Sequence, residues 1–447
     1  MTNDAQQGTT SKPGLIRSIG PAIIVASVVL GPGSILTSSR VGHEYGYRMA
    51  WVLILAGILM IGMVALAGRL GVLLKGTICD ELAARLGRPF AALIGIVMFL
   101  VVASFQSSNN IAVVTAIGPL IGSSGAAGDN RVVPVAILLL LNGVIIAALY
   151  GFKQLYAPVE RFMKLLVLVM IVGFMGNVIF AQPSIVELGK GLVPAMPRSQ
   201  NFMPLLGLIA TTFSIGGAFY QGYLVREKGW TLENAKQGVM DSAIGISILC
   251  GTTLIIMLTA AAVLHGRDVK WESAADVAVQ LKPLFGPAAM YLFSMGLLAG
   301  AISSFMVNAM IGGAILSDGL GLGWSMNQKW PKAFTVVALL IGMGVAIAAT
   351  AYDVSRVGLI VFAQALTVIG GPLLAFALVF LGFGPELKGE RAVPGWIKFL
   401  ACLGMVVTLV LAGKTASDLY GKFAPPAAKP PAVEGPAETG EPATPAK

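Results

Sequence analysis

The residues able to do chemistry in this chain gather around two glycine-rich interruptions of apolar sequence. One is Gly31-Pro32-Gly33-Ser34, with Thr37 one turn on; it splits the run from Ile19 to Ser39. The other is Gly216-Gly217-Ala218, followed by Phe219-Tyr220-Gln221-Gly222-Tyr223. Glycine is a poor helix former and proline lacks a backbone donor, so both stretches are expected to unwind. Unwinding frees N–H groups at one half-helix end and C=O groups at the other, and such groups can replace a solute's hydration shell. The alternative is that the glycines only let helices pack closely. Further neutral polar groups lie in apolar sequence at Gln106, Asn109, Asn110, Asn308 and Gln364. The first three read either as the lining of a permeation route or as interhelical hydrogen bonds. Asn308 reads as structural. Tyr220 and Tyr223 read either as cavity lining or as aromatic packing.

Charge is placed differently. Each of the 21 Asp and Glu residues falls in a tail, a loop or a span end, Asp241, Asp318 and Asp353 included. Membrane-embedded carboxylates mark ion sites and proton relays, and none is expected here. Cys79, Cys250 and Cys402 lie far apart, and His43 and His265 form no local metal motif, so neither a zinc site nor a disulfide framework is suggested. No nucleophile–base pair and no phosphate loop is found, so neither an enzyme nor a bound cofactor is expected.

The elements that position these residues are membrane helices. Of the 447 residues, 56% are hydrophobic and 11% charged, against about 25% charged in soluble proteins. A spanning helix needs about 20 apolar residues. Eleven candidates occur, at roughly 16–42, 49–74, 89–121, 132–151, 157–181, 202–225, 241–264, 283–313, 332–352, 356–383 and 396–414. Residues 1–13 form a polar N-terminus, 14–415 the membrane domain, and 416–447 a proline- and alanine-rich tail expected to be disordered. Asp80 to Gly87 reads as a short surface helix. With the N-terminus inside, sixteen lysines and arginines fall in inner loops and eleven in outer ones, which favours a cytoplasmic N-terminus. The net charge of +9 is therefore read as topology, not nucleic-acid binding. The expected partners are membrane lipid and a small solute or metal cation; the oligomeric state is open.

One stretch carries a family resemblance. The "GPGS" interruption is followed by "GYRMAWVLILAGILMIGMVALAGRLGVLLKGTICDELAARLGRP", which resembles the second helix of the Nramp (natural resistance-associated macrophage protein) family of divalent-metal transporters. Lys190-Gly191-Leu192-Val193-Pro194, "FSMGLLAGAISSFMVNAMIGGAILSDGL" and "LIVFAQALTVIGGPLLAF" resemble that family's lead into helix six, its helix eight and its helix ten. The resemblance implies an all-α polytopic membrane protein of LeuT type, a five-plus-five inverted repeat (roughly 14–182 and 202–384) plus an extra helix at 396–414. It also implies a substrate site at Gly31, Ser34, Ala218, Gln221 and Gln364. Pro32, Gly33, Thr37, Gln106, Asn109, Asn110, Gly217, Gly222 and Tyr223 would lie along the permeation path. Gly31 stands where the family has aspartate, Ser34 where it has asparagine and Gln221 where it has methionine. Gln364 matches the family's helix-ten glutamine.

A dehydrated transition metal would bind weakly without carboxylate or sulfur. Three readings stay open: a carrier of a partly hydrated hard cation such as Mg²⁺, a carrier of a neutral or anionic solute, and a non-transporting membrane sensor. The expected location is the bacterial plasma (inner) membrane.

Overall fold

The computed structural model describes residues 31–120, 132–151, 153–195, 201–271, 273–352 and 355–423. Its α-helices in chain order are α1 Pro32–Tyr45, α2 Ala50–Leu73, α3 Ile78–Leu86, α4 Arg88–Leu120, α5 Val132–Tyr150 and α6 Lys153–Ala181. Next come α7 Ile185–Gly191, α8 Met203–Thr212, α9 Ile215–Glu227, α10 Ala235–Val263, α11 Ala274–Ala278 and α12 Lys282–Phe285. The last five are α13 Ala289–Gly319, α14 Lys329–Ala351, α15 Arg356–Leu366, α16 Gly371–Gly382 and α17 Gly395–Phe423. Among the described residues there is no β-strand.

Nine helical segments of the described chain are long and apolar enough to cross a membrane. A tenth arises if α6 and α7, bent by 113° at residues 182–184, are counted as one. The first expected span has only its second half, α1, among the described residues. Lipid-facing helices carry exposed apolar side chains, such as Leu140 (69% exposed) and Leu409 (64%). The α8–α9 span is the opposite case: 94% of its apolar window is buried, against 22% in α17. Its place at the centre of the bundle puts any interruption in it inside protein, where hydrocarbon does not meet free backbone groups.

Residue boundaries follow local chemistry. Thr77 caps α3 by accepting the Asp80 N–H at 3.0 Å, which starts that helix at Ile78, two residues before the expected Asp80. Arg85 then ties α3 to the loop after α16 by pairing with Glu386. The final helix runs on to Phe423, so 416–423, expected in the disordered tail, is helical. The remainder of the expected tail and of the N-terminus lies outside the described residues.

The sixth-span interruption differs from expectation. Gly216, Gly217 and Ala218 are helical, and the break falls at Phe213 and Ser214. Ser214 is extended and caps α9 by accepting the Gly217 N–H at 3.4 Å. A serine cap ends and restarts the helix there, while Gly216 packs closely against Met98. A further interruption, a 3₁₀ turn at Thr367–Gly370, separates α15 from α16 just after Gln364.

Gly222 is a packing residue. A Cβ at Gly71 of α2 would stand 2.2 Å from the Gly222 carbonyl oxygen, and one at Gly222 would stand 2.6 Å from Ile78 Cδ1. The backbones of α2 and α9 touch where both lack side chains, as small residues allow in membranes. Gly71→Val is expected to cost more than the roughly 1–3 kcal/mol of ordinary overpacking, since backbone must move. Loss of the monodisperse peak in detergent chromatography checks it.

Candidate functional site

A cavity lies where the start of α1 meets the interruption between α8 and α9. Gly31, Gly33 and Ser34 of α1 form one wall; Thr211, Ser214, Gly217 and Tyr220 of α8–α9 form the opposite one. Asn109 of α4, Ser304 and Asn308 of α13 and Gln364 of α15 complete the polar lining. Met98, Val101, Phe105 and Val307 are among its apolar walls. Among the described residues no Asp, Glu, Lys, Arg or His side chain lines it. Among the described residues no group of three or more His, Cys, Asp or Glu side chains that could hold a metal ion occurs.

Local structure sets these positions. Gly31 is extended (φ −99°, ψ −172°) and α1 begins at Pro32, whose missing N–H costs nothing at a helix start. The first α1 amides and the first α9 amides therefore open toward one space, as does the carbonyl end of α8. Ser34 Oγ and Gln364 Oε1 are buried and unpartnered, as is Asn109 Nδ2. Gln364 is held in place by its other end, Nε2 donating to Ser108 Oγ at 2.8 Å. A Cβ at Gly33 would stand 2.2 Å from that Nε2, so glycine makes room for the glutamine.

Of the expected substrate residues, the structure gathers Gly31, Ser34 and Gln364; of the path residues, Gly33, Asn109 and Gly217. Pro32 opens α1, and Thr37 lies one turn deeper, donating to the Gly33 carbonyl at 2.8 Å. Ala218 and Gln221 do not line the cavity. They occupy another face of α9, and Gln221 borders a separate space against α2. Gln106 and Asn110 act as interhelical bonders: Gln106 Nε2 donates to the Phe305 carbonyl at 2.6 Å, and Asn110 Oδ1 accepts from Asn142 at 2.8 Å. Tyr223 also lies away from the cavity, stacked on Phe219 and Tyr220. Ser214, Thr211 and Ser304 were not singled out by sequence. Asn308, read as structural, lines the cavity. Ser304 and Asn308 stand one turn apart in the apolar middle of α13, the spacing that could have marked them.

Tyr223 instead ties the bundle together. Its hydroxyl donates to Asp318 Oδ2 at 2.7 Å, and Asp318 is 2% exposed. Nearby, burial holds the Cys79 thiol well above its ordinary pKa, with the Asp318 charge adding to it, so no thiolate is offered there. Tyr223→Phe is expected to cost about 1–3 kcal/mol by stripping a donor from a buried carboxylate. A lowered thermal unfolding midpoint, with the cavity variants below unaffected, checks it.

A helical bundle whose interrupted span borders a buried, largely apolar cavity with a few neutral polar groups has the architecture of a membrane transporter. Residues 22–417 match the model of the family described as "Nramp: Natural resistance-associated macrophage protein-like", and the chain belongs to that family. It is 25% identical over 415 residues to "Divalent metal cation transporter MntH" of Pectobacterium carotovorum, covering 90% of this chain and 94% of that one. The same-named protein of Yersinia enterocolitica is 26% identical over 427 residues, covering 91% and 95%. Among solved structures, the manganese transporter of Eremococcus coleocola superposes with a TM-score of 0.73 at 19% identity, over 95% of this chain and 91% of that one. The fold is the LeuT-type fold of these transporters, and the chain is not an enzyme.

Proposed function

We propose that this chain is a carrier that moves a divalent cation which keeps much of its water, Mg²⁺-like in selectivity, by alternating access around the interruptions of its first and sixth spans. The supporting observation is a pair of buried, unpartnered acceptors, Ser34 Oγ and Gln364 Oε1, facing one cavity without a carboxylate. Buried acceptors without partners are rare in proteins. The waters of a hydrated cation are donors, and they satisfy such oxygens without being stripped away. Mg²⁺ sheds water reluctantly and is commonly held with several waters in place. Mn²⁺ and Fe²⁺ gain little here because the groups that select them are missing. The similarity to divalent-cation transporters supports a cation as cargo. The bias of loop charges supports a plasma (inner) membrane setting with the N-terminus cytoplasmic.

A second reading is a small solute carrying an anionic group. The amide ends of α1 and α9 at the cavity favour negative charge. Uptake into proteoliposomes separates the two. Mg²⁺ uptake lost in Ser34→Ala supports the first; uptake of an organic anion with no response to cations supports the second. Gln221→Ala, off the cavity, is expected to leave uptake unchanged. With no carboxylate relay in the site, transport is expected to proceed without proton movement. A pH dye inside the liposomes reads this, and acidification during uptake would contradict it.

A further inference from the structure

The side of α9 turned away from the cargo cavity has a second wall. Gly68, Arg69 and Val72 of α2 and Gln221 of α9 border, with Trp230, a small space. Arg69 lies within the membrane-crossing helix α2, and its buried Nε–H has no partner. The other arginines nearby are matched: Arg85 pairs with Glu386, Arg88 with Asp80, and Arg226 donates to the Gly76 carbonyl at 2.8 Å. Gln221 is 1% exposed, and its Oε1 is likewise unpartnered. A guanidinium inside an apolar span is costly until an anion or other acceptor meets it. Its planar fork suits phosphate oxygens, and bonds of this kind are among the strong ones. An unpartnered cationic donor and an unpartnered neutral acceptor across one small space call for a ligand with both an anionic oxygen and a hydroxyl.

We propose that this space is a phosphate site separate from the cargo cavity. Arg69 Nε–H donates to a phosphate oxygen, and Gln221 Oε1 accepts from a hydroxyl on the phosphate or on the group esterified to it. Trp230, an amphipathic ring of the kind that settles at membrane interfaces, lies over the apolar part. Basic pockets between membrane helices bind lipid headgroups by this chemistry, and inorganic phosphate shares it.

The test uses the purified full chain. Thermal unfolding is followed with inorganic phosphate against chloride at equal ionic strength. Native mass spectrometry then follows it in micelles doped with phosphatidylglycerol or phosphatidylcholine. The expected result is stabilisation by phosphate, or retention of phosphatidylglycerol in preference to phosphatidylcholine. Arg69→Gln should weaken it by about tenfold or more, the loss typical of a hydrogen bond to a charged group. Val72→Phe fills the space while leaving the guanidinium, and should weaken binding similarly in a chain that still unfolds cooperatively. Arg356→Gln removes a cation elsewhere and should bind as wild type does. A response to phosphatidylglycerol alone assigns the site to a lipid headgroup; a response to inorganic phosphate assigns it to the free anion. Binding to neither, or equal binding by wild type, Arg69→Gln and Val72→Phe, overturns the proposal.

Discussion

Valine at Gly33 is expected to abolish cargo uptake while leaving a folded protein in the membrane. A Cβ there would stand 2.2, 2.4 and 2.7 Å from Nε2, Cδ and Cγ of Gln364, all atoms of one side chain and none of backbone. The glutamine must swing away, breaking its 2.8 Å bond to Ser108 and withdrawing Oε1 from the cavity. The valine methyls then occupy the space beside Ser34. The lost hydrogen bond costs the fold only about 0.5–1.5 kcal/mol, a small share of the 5–15 kcal/mol typical of a folded domain. The cargo loses an acceptor and room together, so affinity should fall by about tenfold at the least, equivalent to 1.4 kcal/mol. Equal expression and an unchanged chromatographic profile, with uptake at background, are the readout. Gly33→Ala should lie between wild type and Gly33→Val.

The second large effect is a gain. Gly31→Asp is expected to turn a weak Mn²⁺ site into a strong one. A Cβ at Gly31 would stand 3.0 Å from Ser304 Oγ and 3.9 Å from Asn109 Oδ1. The first neighbour is the tip of one side chain and not backbone, so a shift of a few tenths of an ångström admits the carboxylate, which then faces the cavity. A unit charge 4 Å from another is worth about 4 kcal/mol at an effective dielectric of 20. For a dication the increase in affinity should be on the order of a hundredfold or more. Calorimetric titration of wild type and variant with Mn²⁺ measures it. Mg²⁺ binding should change less, because its retained waters keep it from the new oxygen. Unaltered Mn²⁺ affinity in a folded variant would place cation binding elsewhere.

The architecture was largely legible in the sequence because hydrocarbon imposes length and composition on every span. From α2 to α16, the ends of the spanning helices fall within six residues of the apolar runs, the largest offsets being at α10 and α13. Of the first expected interruption the described residues show only the restart: Gly31 is extended and α1 begins at Pro32, so Pro32, Gly33 and Ser34, expected to unwind, are helical, because proline fits the first helical position. The sixth was misplaced by a few residues. Glycines suggested a break, yet Gly216 is wedged against Met98, where a Cβ would stand 3.2 Å from its sulfur, and that packing favours helix. A modest serine two residues earlier made the break instead. The same offset decided the fate of Gln221. Successive helix positions differ by about 100°, so a face one residue out of phase looks elsewhere. Gly217, Tyr220 and Leu224 line the cavity, whereas Gln221 and Val225 border the opposite space. Sequence alone could not choose between these faces, because both mix small, apolar and aromatic residues. The absence of carboxylates at the site, by contrast, needed no phase at all, only the positions of acidic residues along the chain.

The central claim is that neutral oxygens at the meeting of the interrupted helices carry a hydrated hard cation. Mg²⁺ uptake into proteoliposomes containing the wild-type chain, with Mn²⁺ as competitor, tests it most directly. The expected result is saturable Mg²⁺ entry, barely reduced by equimolar Mn²⁺ and lost in Gly33→Val. Entry of Mn²⁺ in preference to Mg²⁺, or no entry of either cation by a correctly inserted protein, would contradict it.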